Sequence, residues 1–313
     1  MSPTAIPISR RTFLQAGAAF AAGLNNLARA QIATEGARFN DEDIPTARNT
    51  VLKLLNAERA SAGFPPLKLD ELACQVAEAH ALDMVKGQFL SHWGTDGRKP
   101  YHRYSFAGGI DAIQENVSSL ENIEALTAKA VTVSLIDMHT SMYTETPPKD
   151  GHHQTIIYPY HTHVGFGIAL RDYRLRMDQI YVSKYVLLDP IQRRAARQAT
   201  IIVSGRLLNR AHIIKGAQVY YESLPTPPAI DWLRTPRSYG MPEDPVQLLV
   251  KLPADYYYVN GAKGTLEVRR DGRFRVPVNL FRREPGLYTI MLWLKRNEKE
   301  PSFPATQICI RCE

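Results

Sequence analysis

Four of the nine histidines in this 313-residue chain, His152, His153, His161 and His163, fall within twelve residues, in "PPKDGHHQTIIYPYHTH" (147–163). Imidazole ligates divalent metals and moves protons near neutral pH, so a cluster of this density offers a metal site, a catalytic base or a crowded loop. Two neutral imidazoles suit zinc or a similar ion and leave coordination positions open to water or a ligand. Carboxylates beside them would hold the far ring nitrogens and fix the tautomer, or act as bases toward a bound water. The spacing matches no metal signature by itself, since neither H-E-x-x-H nor paired C-x-x-C occurs.

The elements that must carry such residues are legible upstream. In "NTVLKLLNAERASAGFPP" Val51, Leu54 and Leu55 are spaced as in a helix that stops at Gly63, ahead of Pro65 and Pro66. Asp70 offers an N-cap for a second helix. Its inner face is Ala73, Val76, Ala77, His80, Ala81 and Met84, and Gly87 closes it. His80, on that apolar face, reads as a packed, hydrogen-bonded core residue. A third helix is expected within "LENIEALTAKAVTVSLIDMHTSMYTE", and strands at "HVGFGIAL" and "RMDQIYVSKYVLL".

The amino terminus reads as an export signal. "SRRTFLQ" precedes an apolar run, Ala16 to Leu27, too short to span a bilayer comfortably, and Ala28-Arg29-Ala30 supplies a cleavage step. The paired Arg10 and Arg11 resemble the twin-arginine signal. The expected organisation is a signal at 1–30, a first domain at 31–189, a linker at 190–199 and a second domain at 200–313. Residues 31–189 carry 15 Lys plus Arg against 20 Asp plus Glu, a net of −5, whereas residues 190–313 carry 20 against 11, a net of +9. The basic half suits a solvated surface, or contact with an anionic envelope polymer or lipid headgroups. No nucleic-acid motif accompanies it, and no segment reads as an integral membrane span. Three cysteines, Cys74, Cys309 and Cys312, are too few for a disulfide framework. In a strand, the last two would point to opposite faces.

Seven short runs, from "TIIVSGRLL" to "TQICIRC", are rich in Val, Ile, Tyr and Phe and bounded by Gly, Pro, Asn and Asp, which predicts a β-sandwich. "VSGRLLNRAHIIKGAQVYYE" with "DGRFRVPVNLFRREPGLYTIMLWL" resembles immunoglobulin-like modules of the carboxypeptidase-regulatory type, which implies an accessory or binding role.

"LLNAERASAGFPPLKLDELACQVAEAHALDMV", "FLSHWGTDGRKPYHRY", "IQENV" and "GHHQTIIYPYHTHVGFGIA" resemble, in order, a bacterial CAP domain, the superfamily of cysteine-rich secretory proteins, antigen 5 and plant pathogenesis-related proteins. The resemblance spans roughly residues 48–187. It implies an α+β chain: a three-layer α-β-α sandwich with a mostly antiparallel sheet, followed here by the all-β sandwich. It also implies an open cleft bearing two histidines and two glutamates, matched by His92 in "SH", Glu115 in "EN", His152 at the entry to the central strand, and Glu145 in "MYTETPP". His92 and His152 would then be the metal ligands, zinc the expected ion, and His161 and His163 surface or loop residues. Family members bind divalent cations, and some bind sterols or other lipids. The implied function is an exported binding protein, the alternative a metal-assisted hydrolase of an envelope peptide or glycan.

Overall fold

The computed structural model describes residues 37–250, Tyr256 and 266–313. The export signal read at residues 1–30 lies outside them. Helix α1 (Ile44–Ser61) ends before Gly63, which takes the left-handed φ of +83°. Strand β1 (Lys68–Leu69) leads into α2 (Glu71–Gly87), and the Asp70 side chain accepts from the Ala73 amide at 2.7 Å, the expected N-cap. The left-handed residue at the other end is Gln88, not Gly87. Gly87 is needed for room, because a Cβ there would fall 2.6 Å from the Phe89 ring.

Next come α3 (Pro100–Phe106), β2 (Ala112–Leu120), α4 (Ala128–Tyr143) and a short helix α5 (Gly151–Ile156). Helix α4 starts later than the apolar pattern suggests because Thr127 caps it, its side chain accepting from the Ala130 amide. His152 and His153 lie in α5, so the segment is helical where an extended run into the sheet was expected; the strand begins at His163.

Strands β3 (His163–Arg171) and β4 (Arg174–Ser183) form a hairpin in a sheet ordered β1-β3-β4-β2. Alternation along these strands builds three layers. Val164, Phe166, Ile168, Met177 and Tyr181 pack with α1 and α4 residues such as Leu55 and Leu135. Ile180 and Val182 pack on the opposite side with Ala73 and Ala77 of α2. Gly165 and Gly167 let α2 approach closely: a Cβ on Gly167 would sit 2.1 Å from the Ala77 carbonyl.

The remainder is two packed β-sheets. One runs β10 (Glu267–Val268), β11 (Arg273–Asn279), β7 (Thr200–Leu207), β5 (Val186–Leu188). The other runs β6 (Arg194–Ala195), β14 (Ile308–Cys312), β12 (Gly286–Lys295), β8 (Ile213–Ser223), β9 (Gln247–Leu249), with β13 (Phe303–Pro304) beside β12. Val203, Phe274 and Val276 of one sheet meet Val219, Ile290 and Ile310 of the other in one core. Residues 186–188 and 194–195, read in the sequence as the end of the first domain and part of a linker, are strands of these sheets.

The α-β-α layers and the β-sandwich share a buried boundary. Strand β11 alternates exposed and buried residues, whereas β12 is buried through most of its length, the mark of a strand covered on both faces. Cys309 faces Ala73 and Tyr101 of the first region while Cys312 faces the sandwich core. The Ser105 hydroxyl accepts from the Cys309 amide at 2.7 Å, and the Gln307 side chain accepts from the Ile113 amide at 2.8 Å. Both cysteines are buried free thiols, and burial pushes Cys309 up to about 12, which leaves it inert as a nucleophile.

Candidate functional site

Two imidazole–carboxylate pairs line one cleft of about 660 Å³. His92, after α2, places Nδ1 2.9 Å from Glu115 Oε1 on β2. His152, in α5, places Nδ1 2.5 Å from Glu145 Oε1, and its backbone amide donates to Glu145 Oε2 at 3.0 Å. Asn116 ties the pairs together, donating from Nδ2 to the His152 carbonyl at 3.1 Å. All four residues selected from the sequence therefore meet, although Glu145 and His152 come from separate short stretches.

The pairs differ in setting. Glu115 is fully buried, whereas the side chains of His152 and Glu145 are 35% and 25% exposed. Burial opposes ionisation of Glu115, but Arg103, whose guanidinium pairs with its Oε2, and the His92 hydrogen bond outweigh it and hold the carboxyl down to about 2. Arg103 also donates to the carbonyls of His92 at 2.8 Å and Arg98 at 3.0 Å, so one side chain neutralises the carboxylate and fixes the loop presenting the imidazole. With Nδ1 hydrogen-bonded to carboxylate, the bare lone pair of each neutral ring is on Nε2, the tautomer a metal-binding histidine needs. Such a nitrogen is the donor type that a divalent cation takes.

Sequence reading missed the third wall. The connection between β8 and β9 crosses to the α-β-α layers as a strap, with a short helix α6 (Ile230–Leu233) at its centre. Leu233 is fully buried against Met84, Phe89 and Val117, and Trp232 meets Trp93 edge-on at 5.3 Å. Farther along, Tyr239 leans its ring on His92, centroids 4.7 Å apart, and its hydroxyl accepts from the Glu115 amide at 2.8 Å. Burial, with the Glu115 charge adding to it, holds this phenol above its ordinary range, so it stays neutral. Glu222, at the end of β8, anchors the base of the strap by bonding Lys99 Nζ at 2.5 Å and the Tyr101 hydroxyl at 2.7 Å. Only the aromatic and proline content of "LPTPPAIDWLRTPRSYGMP" hinted at a docked segment.

Four further histidines can be placed against their sequence readings. His80 is buried, as expected, with Nε2 2.8 Å from the Ser91 carbonyl. His153 Nδ1 donates to the Tyr143 carbonyl at 2.5 Å. His161 lies in the loop before β3, as expected, but is 4% exposed rather than on the surface, and bonds Gln114 at 2.9 Å and Ser183 at 3.2 Å. The short turn after α5 tucks it beneath the sheet edge, beside Tyr181. His163 opens β3, half-buried, and its Nδ1 lies 2.9 Å from the Thr162 hydroxyl.

A family model described as CAP, the cysteine-rich secretory protein family, matches residues 52–185. Among solved structures, an extracellular protein containing an SCP domain from Bacillus anthracis is 18% identical, covering 48% of this chain and 45% of that one, with a TM-score of 0.36. An outer surface protein from Borrelia burgdorferi is 14% identical over 48% of this chain and 98% of that one, with a TM-score of 0.35. The CAP domain of enterococcal PrgA is 14% identical over 44% and 61%, with a TM-score of 0.31. The chain thus spans about half the length of the first of these. No curated protein matches it.

Proposed function

Because residues 52–185 are a CAP domain of the cysteine-rich secretory protein family, we propose that the chain is an exported binding protein whose cleft holds a divalent cation, with zinc the first candidate. The observation supporting this reading is the pair of carboxylate-oriented imidazoles lining one cleft. His92 and His152 would hold the ion; Glu115 and Glu145 orient them, and a bound cation would supply a Lewis acid to a ligand oxygen. Tyr101, Tyr239 and Met241 give the same cleft an apolar side. That lining suits an amphipathic lipid or envelope ligand, one end on the polar dyads and the other on the aromatic wall.

A second contact surface lies on the sandwich. Arg206 stands directly opposite Arg273 across β7 and β11, both exposed, a like-charge pair offset only in part by Asp271, 3.6 Å from Arg273, and one that an anionic envelope polymer would relieve further. Export is proposed from the signal motif alone. Among the described residues, no helix is long and apolar enough to cross a membrane.

Zinc titration by calorimetry near neutral pH tests the cleft. His92→Ala and His152→Ala should each abolish the cleft ion, Glu115→Gln should weaken it less, and His163→Ala should leave it intact. Affinity should fall on acidification, because protons and metal compete for the same nitrogens. A cleft ion bound equally well by the His92→Ala/His152→Ala double variant would refute the assignment.

A further inference from the structure

Glu115 also belongs to a second, fully buried cluster. The β2–β4 register pairs Glu115 with Ile180, so Asp178, two residues earlier on β4, is its diagonal neighbour on the face turned to α2. His80 reaches the same point from α2. One ligand atom from each of His80, Glu115 and Asp178 lies within 4.8 Å of the others.

Hydrogen bonding leaves this cluster incomplete. Asp178 is 0% exposed; burial, with the neighbouring Glu115 charge and a hydrogen bond to Glu115 adding to it, raises its carboxyl well above the ordinary range, and no other group answers its oxygens. The His80 Nδ1 is also buried and unpartnered. Its Nε2 faces the Ser91 carbonyl, which can only accept, so Nε2 carries the proton and Nδ1 a bare lone pair. Burial keeps this ring neutral, pushed down to about 4, with the Arg103 charge adding to the effect. Lone pairs from three side chains therefore converge in a dry site. One proton between Asp178 and Glu115 would leave the imidazole lone pair unanswered. A cation would satisfy all three side chains together.

We propose that His80 Nδ1, Asp178 and one oxygen of Glu115 form an inner divalent-cation site, distinct from the pair of imidazoles in the cleft. Three atoms within 4.8 Å of one another place an ion at their centre no more than about 2.8 Å from each. Zinc–nitrogen and zinc–oxygen bonds are about 2.0–2.2 Å, so the side chains need close by roughly 0.6–0.8 Å at most. The Ser91 carbonyl already orients the imidazole from behind, as metal-bound histidines require. One nitrogen and two carboxylate oxygens suit zinc or manganese. Arg103, paired with the same Glu115, opposes the added charge and keeps affinity modest. Glu115 would thus orient His92 on one side and ligate the inner ion on the other.

The test is equilibrium zinc and manganese binding to the full chain, with circular dichroism confirming the fold of each variant. Asp178→Asn has the same shape and removes a buried acid. It should lose one bound ion, or weaken that ion at least tenfold. His152→Ala, which touches only the cleft, should leave that ion in place even if the cleft itself binds nothing. Anomalous diffraction from zinc-soaked wild-type crystals should give a peak among His80, Glu115 and Asp178. Unchanged metal content in Asp178→Asn, or anomalous density confined to the cleft, would overturn the proposal.

Discussion

Replacing Arg103 with methionine keeps the length of the side chain and removes its charge. In the native protein its guanidinium is 10% exposed and faces a Glu115 side chain that is 0% exposed, so the variant leaves a buried carboxylate without its partner. Removing one member of such a pair costs about 3–5 kcal/mol. The acid itself gives a second measure. Its fall from an ordinary 4.5 to about 2, at about 1.36 kcal/mol per pH unit, corresponds to roughly 3 kcal/mol, the net of burial against Arg103, the His92 hydrogen bond and the neighbouring imidazoles, with Arg103 the largest favourable part. Because the folded value is depressed, this stability is fully present above about 4.5 and is lost as pH falls toward 2. Urea melts should therefore show Arg103→Met less stable than wild type by about 3 kcal/mol at pH 7. The gap should narrow on acidification, by more than half at about pH 3. The Arg103→Met/Glu115→Gln double variant should recover part of the loss. A pH 7 difference below about 0.5 kcal/mol, or one that does not depend on pH, would refute the claim that Arg103 stabilises the buried carboxylate.

Tyr239→Phe deletes the acceptor for the Glu115 amide and should cost about 1–3 kcal/mol in urea melts. Asp111 is buried, and burial first, with the Asp70 charge adding to it, raises its carboxyl to about 7. A raised acid opposes folding above its folded value, so Asp111→Asn should be more stable than wild type at pH 8, and the advantage should shrink between pH 7 and pH 4. Leu233→Ala should cost about 2–5 kcal/mol locally, read as faster hydrogen exchange in residues 226–241 while β12 stays protected.

Much of the first region was legible because its signals are local. The Asp70 cap, the Gly63 stop and the apolar face of α2 each involve residues a turn or two apart, and all appear where the sequence put them. The seven runs of the sandwich likewise show up as strands because alternation and turn residues are short-range. The tetrad was reached through resemblance rather than spacing, since its members are brought together by sheet register and by a turn from α4 into α5. What stayed hidden depends on distant sequence. Nothing near Glu115 announces Tyr239, some 124 residues away, and although Arg103 lies only eleven residues after His92, its pairing with Glu115 appears only once α3 is packed on β2. The burial of His161 within its loop was not legible, because its Gln114 and Ser183 partners lie on β2 and β4. The continuous apolar run "GLYTIMLWL" did carry a signal for a strand covered on both faces, and so for two regions packed together.

The Tyr239 strap changes what counts as a transferable module. A recombination event that carried residues 52–185 into another protein would bring both imidazole–carboxylate pairs but leave behind the aromatic wall over His92 and the acceptor of the Glu115 amide. A transplanted cleft would be wider, wetter and less selective than its parent. Descendants of this architecture can therefore reshape the cleft by drift in a loop far along the chain, with the four dyad residues untouched. Lineages should show changes at position 239 tracking changes around His92 and Lys99, two of the places where the strap meets the first region.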